Sequence, residues 1–246
     1  MKPRVAIFDF ACCEGCQLQL VNLEEALLDL ASMVDVVNWR EAISDRGEEY
    51  DIALVEGSIT RASDEPRIKG IREKAKILVA FGACANLGGV NCLKNFQGMD
   101  EVSKYVYGDK AHYFETYPAR PIQAVVPVDE YIWGCPPHKK EIVRVLGALL
   151  LGKKPETPTY PVCVECKLQG NVCVFELGMT CLGPVTRGGC EAWCPSVRDG
   201  CIGCRGVIPE PNLNAEKEVL TKYGLTPEEA VNQFRIFLGY EVSEKV

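Results

Sequence analysis

The sequence predicts an α/β fold: a doubly wound, mostly parallel sheet followed by a small cysteine-rich domain. Three observations predict it. Strand-length apolar runs alternate with helical periodicities through residue 152, the pattern that builds parallel sheets covered by helices. Pro155, Pro158 and Pro161, after Gly152-Lys153-Lys154, mark a linker. Beyond it, eight of the fourteen cysteines fall between Cys163 and Cys204. A chain of 246 residues accommodates two such domains, placed at 1–152 and 153–246.

Residues 4–10, with Val5, Ile7, Phe8 and Phe10, read as a buried first strand. Leu20, Leu23, Leu27 and Leu30 recur at helical spacing and predict a helix over 17–33; Val21, Leu28 and Ala31 widen its apolar face enough to imply burial on more than one side. Val34–Trp39 and Tyr50–Ser58 read as the second and third strands, and 64–75 as a charged, exposed helix. Lys76–Ala83 reads as the fourth strand and Glu130–Gly134 as a short fifth, followed by a helix over 138–151. The stretch from Cys163 to Cys204 carries seven glycines and too little apolar surface to fold by burial alone, so bound metal is expected to hold it. Thr226-Pro227-Glu228-Glu229 reads as a capping box with proline at the first helical position. Val231, Phe234, Phe237 and Leu238 give the helix that follows an apolar stripe, for docking on its own domain or on a partner.

Ligands gather at the carboxyl ends of the strands in such sheets. Cys12, Cys13 and Cys16 follow strand one, Cys84 follows strand four and Cys135 follows strand five, so residues distant in sequence are expected to meet on one edge. The C-terminal cysteines read Cys163-x2-Cys166-x6-Cys173-x7-Cys181, then Cys190-x3-Cys194-Pro195-x5-Cys201-x2-Cys204. Two sets of four thiolates are what two cubane iron–sulfur clusters require. Structural zinc also takes four thiolates and C-x2-C pairs and remains the competing reading. Cys194-Pro195 favours iron–sulfur, and the widely split set Cys13, Cys16, Cys84 and Cys135 disfavours zinc. A flavin phosphate is disfavoured, because the first strand–helix turn, Ala11-Cys12-Cys13-Glu14-Gly15-Cys16, offers thiols where a phosphate needs hydroxyls and glycines.

Composition excludes several classes. The net charge is −7 with no basic run, which argues against nucleic acid. Asp9 interrupts the first apolar run too early for a secretory signal. No apolar run approaches the roughly 18 residues of a membrane span. A cytoplasmic protein is expected, and in a reducing compartment many cysteines read as metal ligands. With two histidines, His112 and His138, no Ser/His/Asp or Cys/His catalytic set is available.

Cys13-Glu14-Gly15-Cys16, Gly82-Ala83-Cys84-Ala85 and Gly134-Cys135-Pro136-Pro137 resemble the three proximal-cluster motifs of the small subunits of [NiFe] hydrogenases. Cys173-Val174-Phe175-Glu176-Leu177-Gly178, Cys181-Leu182-Gly183-Pro184-Val185-Thr186 and Cys201-Ile202-Gly203-Cys204 resemble that family's C-terminal cluster motifs. The match is ordered and spans residues 5–206. The resemblance implies a flavodoxin-like N-terminal domain, a cluster-bearing C-terminal domain, and pairing with a large subunit that holds the Ni–Fe centre. It also implies that electrons pass through three [4Fe-4S] clusters to a flavin or iron–sulfur partner.

On the same resemblance, Cys13, Cys16, Cys84 and Cys135 match the proximal ligands, Cys190, Cys194, Cys201 and Cys204 the medial, and Cys163, Cys166, Cys173 and Cys181 the distal. Many members have histidine where Cys163 stands, and many respiratory members have proline and a three-iron cluster where Cys194 stands. Both departures resemble cytoplasmic hydrogenases that couple to nicotinamide, deazaflavin or ferredoxin through further subunits. The related subunit of respiratory complex I uses adjacent cysteines, and Cys12-Cys13 is such a pair. Cys-x-Gly-Cys and the C-terminal cluster domain favour Cys13 with Cys16, which leaves Cys12 as a small buried thiol. A free-standing iron–sulfur carrier is the alternative; a large apolar face around the first motif would favour the hydrogenase. Glu14 and Glu56, near the first set, read either as proton-relay acids or as a helix-terminus acid and a hydrogen-bonded loop acid. His138 reads as exposed or as a cap-region hydrogen-bonding group.

Overall fold

The computed structural model describes residues 2–243. In chain order the first elements are β1 (Arg4–Asp9), α1 (Gly15–Val21), α2 (Glu25–Met33), β2 (Asp35–Trp39), β3 (Ile52–Glu56), α3 (Asp64–Lys74), β4 (Ile77–Phe81) and α4 (Ala83–Leu87). After them come a 3₁₀ helix at Gly89–Phe96, α5 (Met99–Tyr107), β5 (Glu130–Ile132) and α6 (Lys139–Leu150). The cysteine-rich half holds α7 (Val162–Leu168), α8 (Trp193–Ser196), α9 (Leu213–Lys222) and α10 (Pro227–Ser243).

The sheet runs β2-β1-β3-β4-β5 with every neighbouring pair parallel. This is the flavodoxin-type order, whose reversal at β1 opens a crevice at the carboxyl ends of β1 and β3. β3 is buried along its whole length, as expected of a strand covered on both faces. Val5, Ile7, Ile52, Leu54, Val79 and Phe81 pack under Leu20, Leu23, Ile142 and Val145 on one face. Ala6, Ala53, Val55, Leu78 and Ala80 meet Ile68, Ile71 and Ile122 on the other.

Two expectations are corrected. The helix over 17–33 is two helices, broken at Asn22–Glu24, where Glu24 takes a φ of 57°. The turn sends Leu20 and Leu23 into the core, while Leu18, Val21 and Leu28 stay exposed, so the wide apolar face is not covered within this chain. The charged helix α3 is amphipathic, with Ile68 and Ile71 buried under its charged outer face. The short helices between Cys84 and β5, and α7, α8 and α9, are additional to the elements the sequence predicts.

Apolar support for the cysteine-rich segment comes largely from outside it. Val162, Val174, Phe175, Leu182 and Val185 share one cluster with Leu220 of α9, Ala230, Phe234, Phe237 and Leu238 of α10, and Ala83 and Leu87 of α4. At about 1.5–3 kcal/mol per buried large side chain, this cluster joins the two halves strongly. The capping box holds: the Thr226 amide donates to Glu229 Oε2 at 2.8 Å, and the Glu229 amide to Thr226 Oγ1 at 3.2 Å. α10 lies across the 3₁₀ helix at Gly89–Phe96 in the N-terminal half; a Cβ at Gly239 would sit 2.9 Å from Cys92 Cβ, and the Arg235 guanidinium covers the Phe96 ring at 4.5 Å.

The second junction is ionic. Arg205, 1% exposed, pairs through both terminal nitrogens with the buried Glu141 carboxylate of α6. It also donates to the Trp133 and Gly188 carbonyls at 2.7 and 2.9 Å. Removing one partner of a buried pair strands the other charge. Glu141→Ala is expected to destabilise the cluster-loaded chain by about 3–5 kcal/mol. The double variant Glu141→Leu/Arg205→Met should recover most of the loss in anaerobic urea titrations. A single variant with an unshifted midpoint would show that the pair does not hold the junction.

Candidate metal centres

The first site forms where β1, β3, β4 and β5 end. Ala11 and Ser58 exchange backbone hydrogen bonds at 3.2 and 3.0 Å, pinning the loop after β1 to the end of β3. Gly57, with φ 93°, is needed there, since a Cβ would come within 2.7 Å of the Phe10 backbone. Glu56, 1% exposed, accepts the Cys16 and Gln17 amides at 3.1 and 3.2 Å. It thereby satisfies two otherwise free N–H groups at the start of α1 and fixes the helix that carries Cys16.

The loops after β4 and β5 are stitched together beyond the strands. The Gly82 amide donates to Ile132 O and the Ala83 amide to Gly134 O, both at 2.8 Å. A Cβ at Gly82 would lie 2.2 Å from Cys16 Sγ, so the absence of a side chain there makes room for that sulfur. Cys84 lies within electrostatic reach of Cys135 and Cys13, and Cys16 of Cys84 and Cys135. The sequence-predicted residues Cys13, Cys16, Cys84 and Cys135 are therefore brought together. Burial, then mutual repulsion with neighbouring acids and thiols, pushes the Cys84 thiol up to about 12, and Cys16 and Cys135 also rise.

Cys12 faces elsewhere. Its sulfur lies 3.4 Å from Glu14 Oε1, and the ligand atoms of Cys12, Glu14 and Glu56 all fall within 4.8 Å of one another. It is half-buried against two acids rather than a small core residue, and burial raises its thiol furthest, with the acids adding to the shift. Glu14, at φ 62°, also accepts from Gln17 Nε2, and burial raises its carboxyl. Cys92 is fully buried and donates to Ala119 O at 3.3 Å, as a structural thiol does.

In the C-terminal half, Cys163 and Cys166 sit on α7, and Cys173 precedes the turn at Val174–Leu177. Cys163 lies within electrostatic reach of Cys181, Cys166 and Cys173. A Cβ at Gly183 would touch both Cys181 Sγ and Cys163 Sγ, at 3.1 and 3.4 Å. Cys190, Cys194, Cys201 and Cys204 line a single cavity of about 290 Å³ with Pro136, His138 and Trp193. Burial pushes the Cys204 thiol up to about 12.

His138 makes no side-chain cap bond; its backbone carbonyl takes the Glu141 amide at 3.0 Å, while the ring meets Trp193 edge-on at 5.7 Å and burial lowers its pKa. Sequence reasoning missed three buried polar residues. Glu165 accepts the Gly189 and Ala192 amides and so shapes the loop that presents Cys190. Arg205 directly follows Cys204. Glu216 lies within electrostatic reach of Cys163 and Cys181, and burial raises its carboxyl to about 7. Its place in an otherwise ordinary helix carried no signal, whereas Arg205 had one in its adjacency to a C-x2-C pair.

The family model for the 20 kDa subunit of NADH ubiquinone oxidoreductase matches residues 13–149. Sulfhydrogenase 2 subunit delta of Pyrococcus furiosus is 36% identical over 236 residues, covering 95% of this chain and 98% of that one. The chain belongs to the small subunits of [NiFe] hydrogenases. Within a structure of an NAD⁺-reducing [NiFe] hydrogenase in the H2-reduced state, one chain is 30% identical with a TM-score of 0.59, over 64% of this chain and 96% of that one. The reduced, active Ni-Fe-Se hydrogenase of Desulfomicrobium baculatum shares the fold over 88% of this chain and 98% of its own, at 17% identity and a TM-score of 0.55. As an iron–sulfur, electron-transfer subunit of a hydrogenase complex, this small subunit has no helix, among its described residues, long and apolar enough to cross a membrane.

Cys84, on α4, and Cys92, on the 3₁₀ helix that follows, separate site from scaffold. Cys84→Ser should remove about four irons per chain if its set holds one cubane. Cys92→Ser should keep the iron and cost about 1–2 kcal/mol of stability. Iron analysis and denaturation of the two variants check this, and equal iron loss would contradict the placement.

Proposed function

We propose that this small subunit relays electrons between the Ni–Fe site of a large subunit and a flavin or iron–sulfur partner, in the cytoplasm, through three [4Fe-4S] clusters. Cys13, Cys16, Cys84 and Cys135 hold the proximal cluster, Cys190, Cys194, Cys201 and Cys204 the medial, and Cys163, Cys166, Cys173 and Cys181 the distal. Residues 1–152 carry the first and 153–246 the other two. When bound, each cluster supplies a one-electron carrier; the protein supplies thiolates, burial and hydrogen bonds to sulfur, which set potential. The observation that carries this reading is the gathering of each quartet at one place, above all the four medial cysteines around one cavity.

The donor set fits the group. Burial raises the thiols of Cys190, Cys194, Cys201 and Cys204 together, so a strongly cationic core is needed to ionise them. Zinc would draw sulfurs to about 3.8 Å of one another, given Zn–S bonds of about 2.3 Å. Among the described residues no three cysteine sulfurs fall within 4.8 Å of one another, which favours a larger core. Leu18 and Val21, on the helix that carries Cys16, are exposed, as are Leu28, Val90 and Leu93, and this exposed apolar area supports a large-subunit partner over a free-standing carrier. Of the two acids considered for proton relay, Glu56 is committed to two backbone amides, which leaves Glu14 as the residue to exchange protons.

Anaerobically purified protein should carry about twelve irons and twelve acid-labile sulfides per chain. Stoichiometric zinc without labile sulfide would end the cluster reading.

Cys194 separates this chain from the three-iron members. Cys194→Pro should convert the medial cluster to a three-iron form and raise its potential. Electron paramagnetic resonance of the oxidised variant should show a new three-iron signal. Hydrogen oxidation with a high-potential dye should partly survive, while transfer to the native acceptor falls further. An unchanged spectrum would remove Cys194 from the ligand set.

A further inference from the structure

The medial and distal cysteine sets of this chain approach one another through the backbone of their own ligand residues. The Cys201 amide, in the medial set, lies 3.2 Å from Cys181 Sγ of the distal set and donates to it. The Leu182 amide donates back to Cys201 O at 2.8 Å, so the two segments are clasped by a reciprocal pair. The clasp requires Gly200, where a Cβ would lie 1.9 Å from the Thr180 carbonyl oxygen. On the other side of the medial set, Cys135 of the proximal set and Cys204 line the same cavity. That approach is also held in place: Arg205, next to Cys204, donates to the Trp133 carbonyl at 2.7 Å and so fixes the loop leading to Cys135.

We propose that the Cys201 amide is an electron bridge of the relay, from Cys201 N–H to Cys181 Sγ between the medial and distal clusters. The inference rests on the cluster assignment proposed above. The route runs from a ligand sulfur along its own side chain to the amide nitrogen, then across a single hydrogen bond to a ligand sulfur of the next cluster. Such a path couples donor and acceptor better than a van der Waals gap of the same length. One electron moves per step: the donor cluster is oxidised by one and the acceptor reduced by one. The amide proton stays on nitrogen, and no bond is made or broken. The same hydrogen bond stabilises negative charge on the accepting sulfur, so it also bears on potential.

Matched serine variants in the intact hydrogenase complex test the bridge. Cys181→Ser and Cys163→Ser each place one oxygen ligand on the distal cluster, but only the first alters the sulfur that accepts from the Cys201 amide. Cluster potentials are read by redox titration followed by electron paramagnetic resonance. Intercluster transfer rates are then read after a light-triggered reduction pulse and compared at matched driving force. Cys181→Ser should transfer about tenfold more slowly than Cys163→Ser, the lower end of what disrupting a hydrogen-bonded metal ligand costs. Equal rates in the two variants overturn the bridge while leaving the clusters in place. Absence of cubane signals from the unmodified complex would overturn the cluster assignment itself.

Should serine ligands prevent loading, the unmodified complex labelled with ¹⁵N-cysteine answers the same question. Pulsed resonance of the reduced distal cluster should show a ¹⁵N coupling, because among the described residues the cysteine amide that donates to Cys181 is that of Cys201. Glycine labelling serves as the positive control, through the Gly183 amide at 3.3 Å from the same sulfur. A distal signal that couples to glycine nitrogen but not to cysteine nitrogen overturns the distal bridge.

Discussion

The arrangement of the cysteines depends on one buried cation. Arg205 carries a guanidinium into the protein interior, where desolvation is costly unless its charge is paired and its hydrogens are bonded. Glu141 supplies the charge, and the carbonyls of Trp133, Arg187 and Gly188 take further hydrogens. The three carbonyls lie on segments that lead to a cysteine, and Glu141 lies on α6, which follows Cys135. Trp133 leads to Cys135, Gly188 leads to Cys190, and Arg205 itself follows Cys204. Gly189 lacks a side chain where a Cβ would strike Arg205 Nη2 at 2.3 Å. Satisfying this one guanidinium therefore sets the distances between the first and second groups of cysteines.

A second constraint works at the other end of the first group. Glu56 is buried, and two amides at the start of α1 donate to its carboxylate. The carboxylate takes the place that a bound phosphate occupies in other doubly wound folds at the same crevice. The sulfur of Cys16 is then left to face Gly82 and the other thiols. Negative groups thus crowd this edge of the sheet, and burial opposes their ionisation. A cationic cluster core held by these thiols would relieve that opposition and couple cluster binding to the stability of the fold.

The cysteine-rich half carries too little apolar surface of its own, as its glycine content suggests, yet it is not held by metal alone. α9 and α10 cover it from the C-terminal side, and Ala83 and Leu87 from the side of the sheet. α10 then reaches the 3₁₀ helix at Gly89–Phe96, where Cys92 packs under Gly239. The loop that begins at Cys84 is therefore braced by the end of the chain. This contact decides between the two readings of the terminal apolar stripe, because Phe234, Phe237 and Leu238 are spent inside the chain.

Much of this was legible without coordinates. Apolar runs of strand length, separated by helical periodicities, determined a parallel sheet, because only that topology buries such runs on both faces. Cysteine spacing determined which residues belong together within the C-terminal half, and the strand-end rule located Cys13, Cys16, Cys84 and Cys135, because parallel strands bring all their carboxyl ends to one edge. The capping box at Thr226 was legible because it is a local bond between near neighbours. What the tertiary structure alone decided is long-range. The break at Asn22–Glu24 is invisible to periodicity, since leucines on either side keep a helical phase. Cys12 turns away from its neighbour because Glu14 and Glu56 lie beside it, and Glu56 arrives from a different strand. The Arg205–Glu141 pair spans 64 residues, and the contact from Cys201 to Cys181 spans 20. Such contacts follow from how loops cross at the sheet edge, and no pattern of neighbouring residues encodes that crossing.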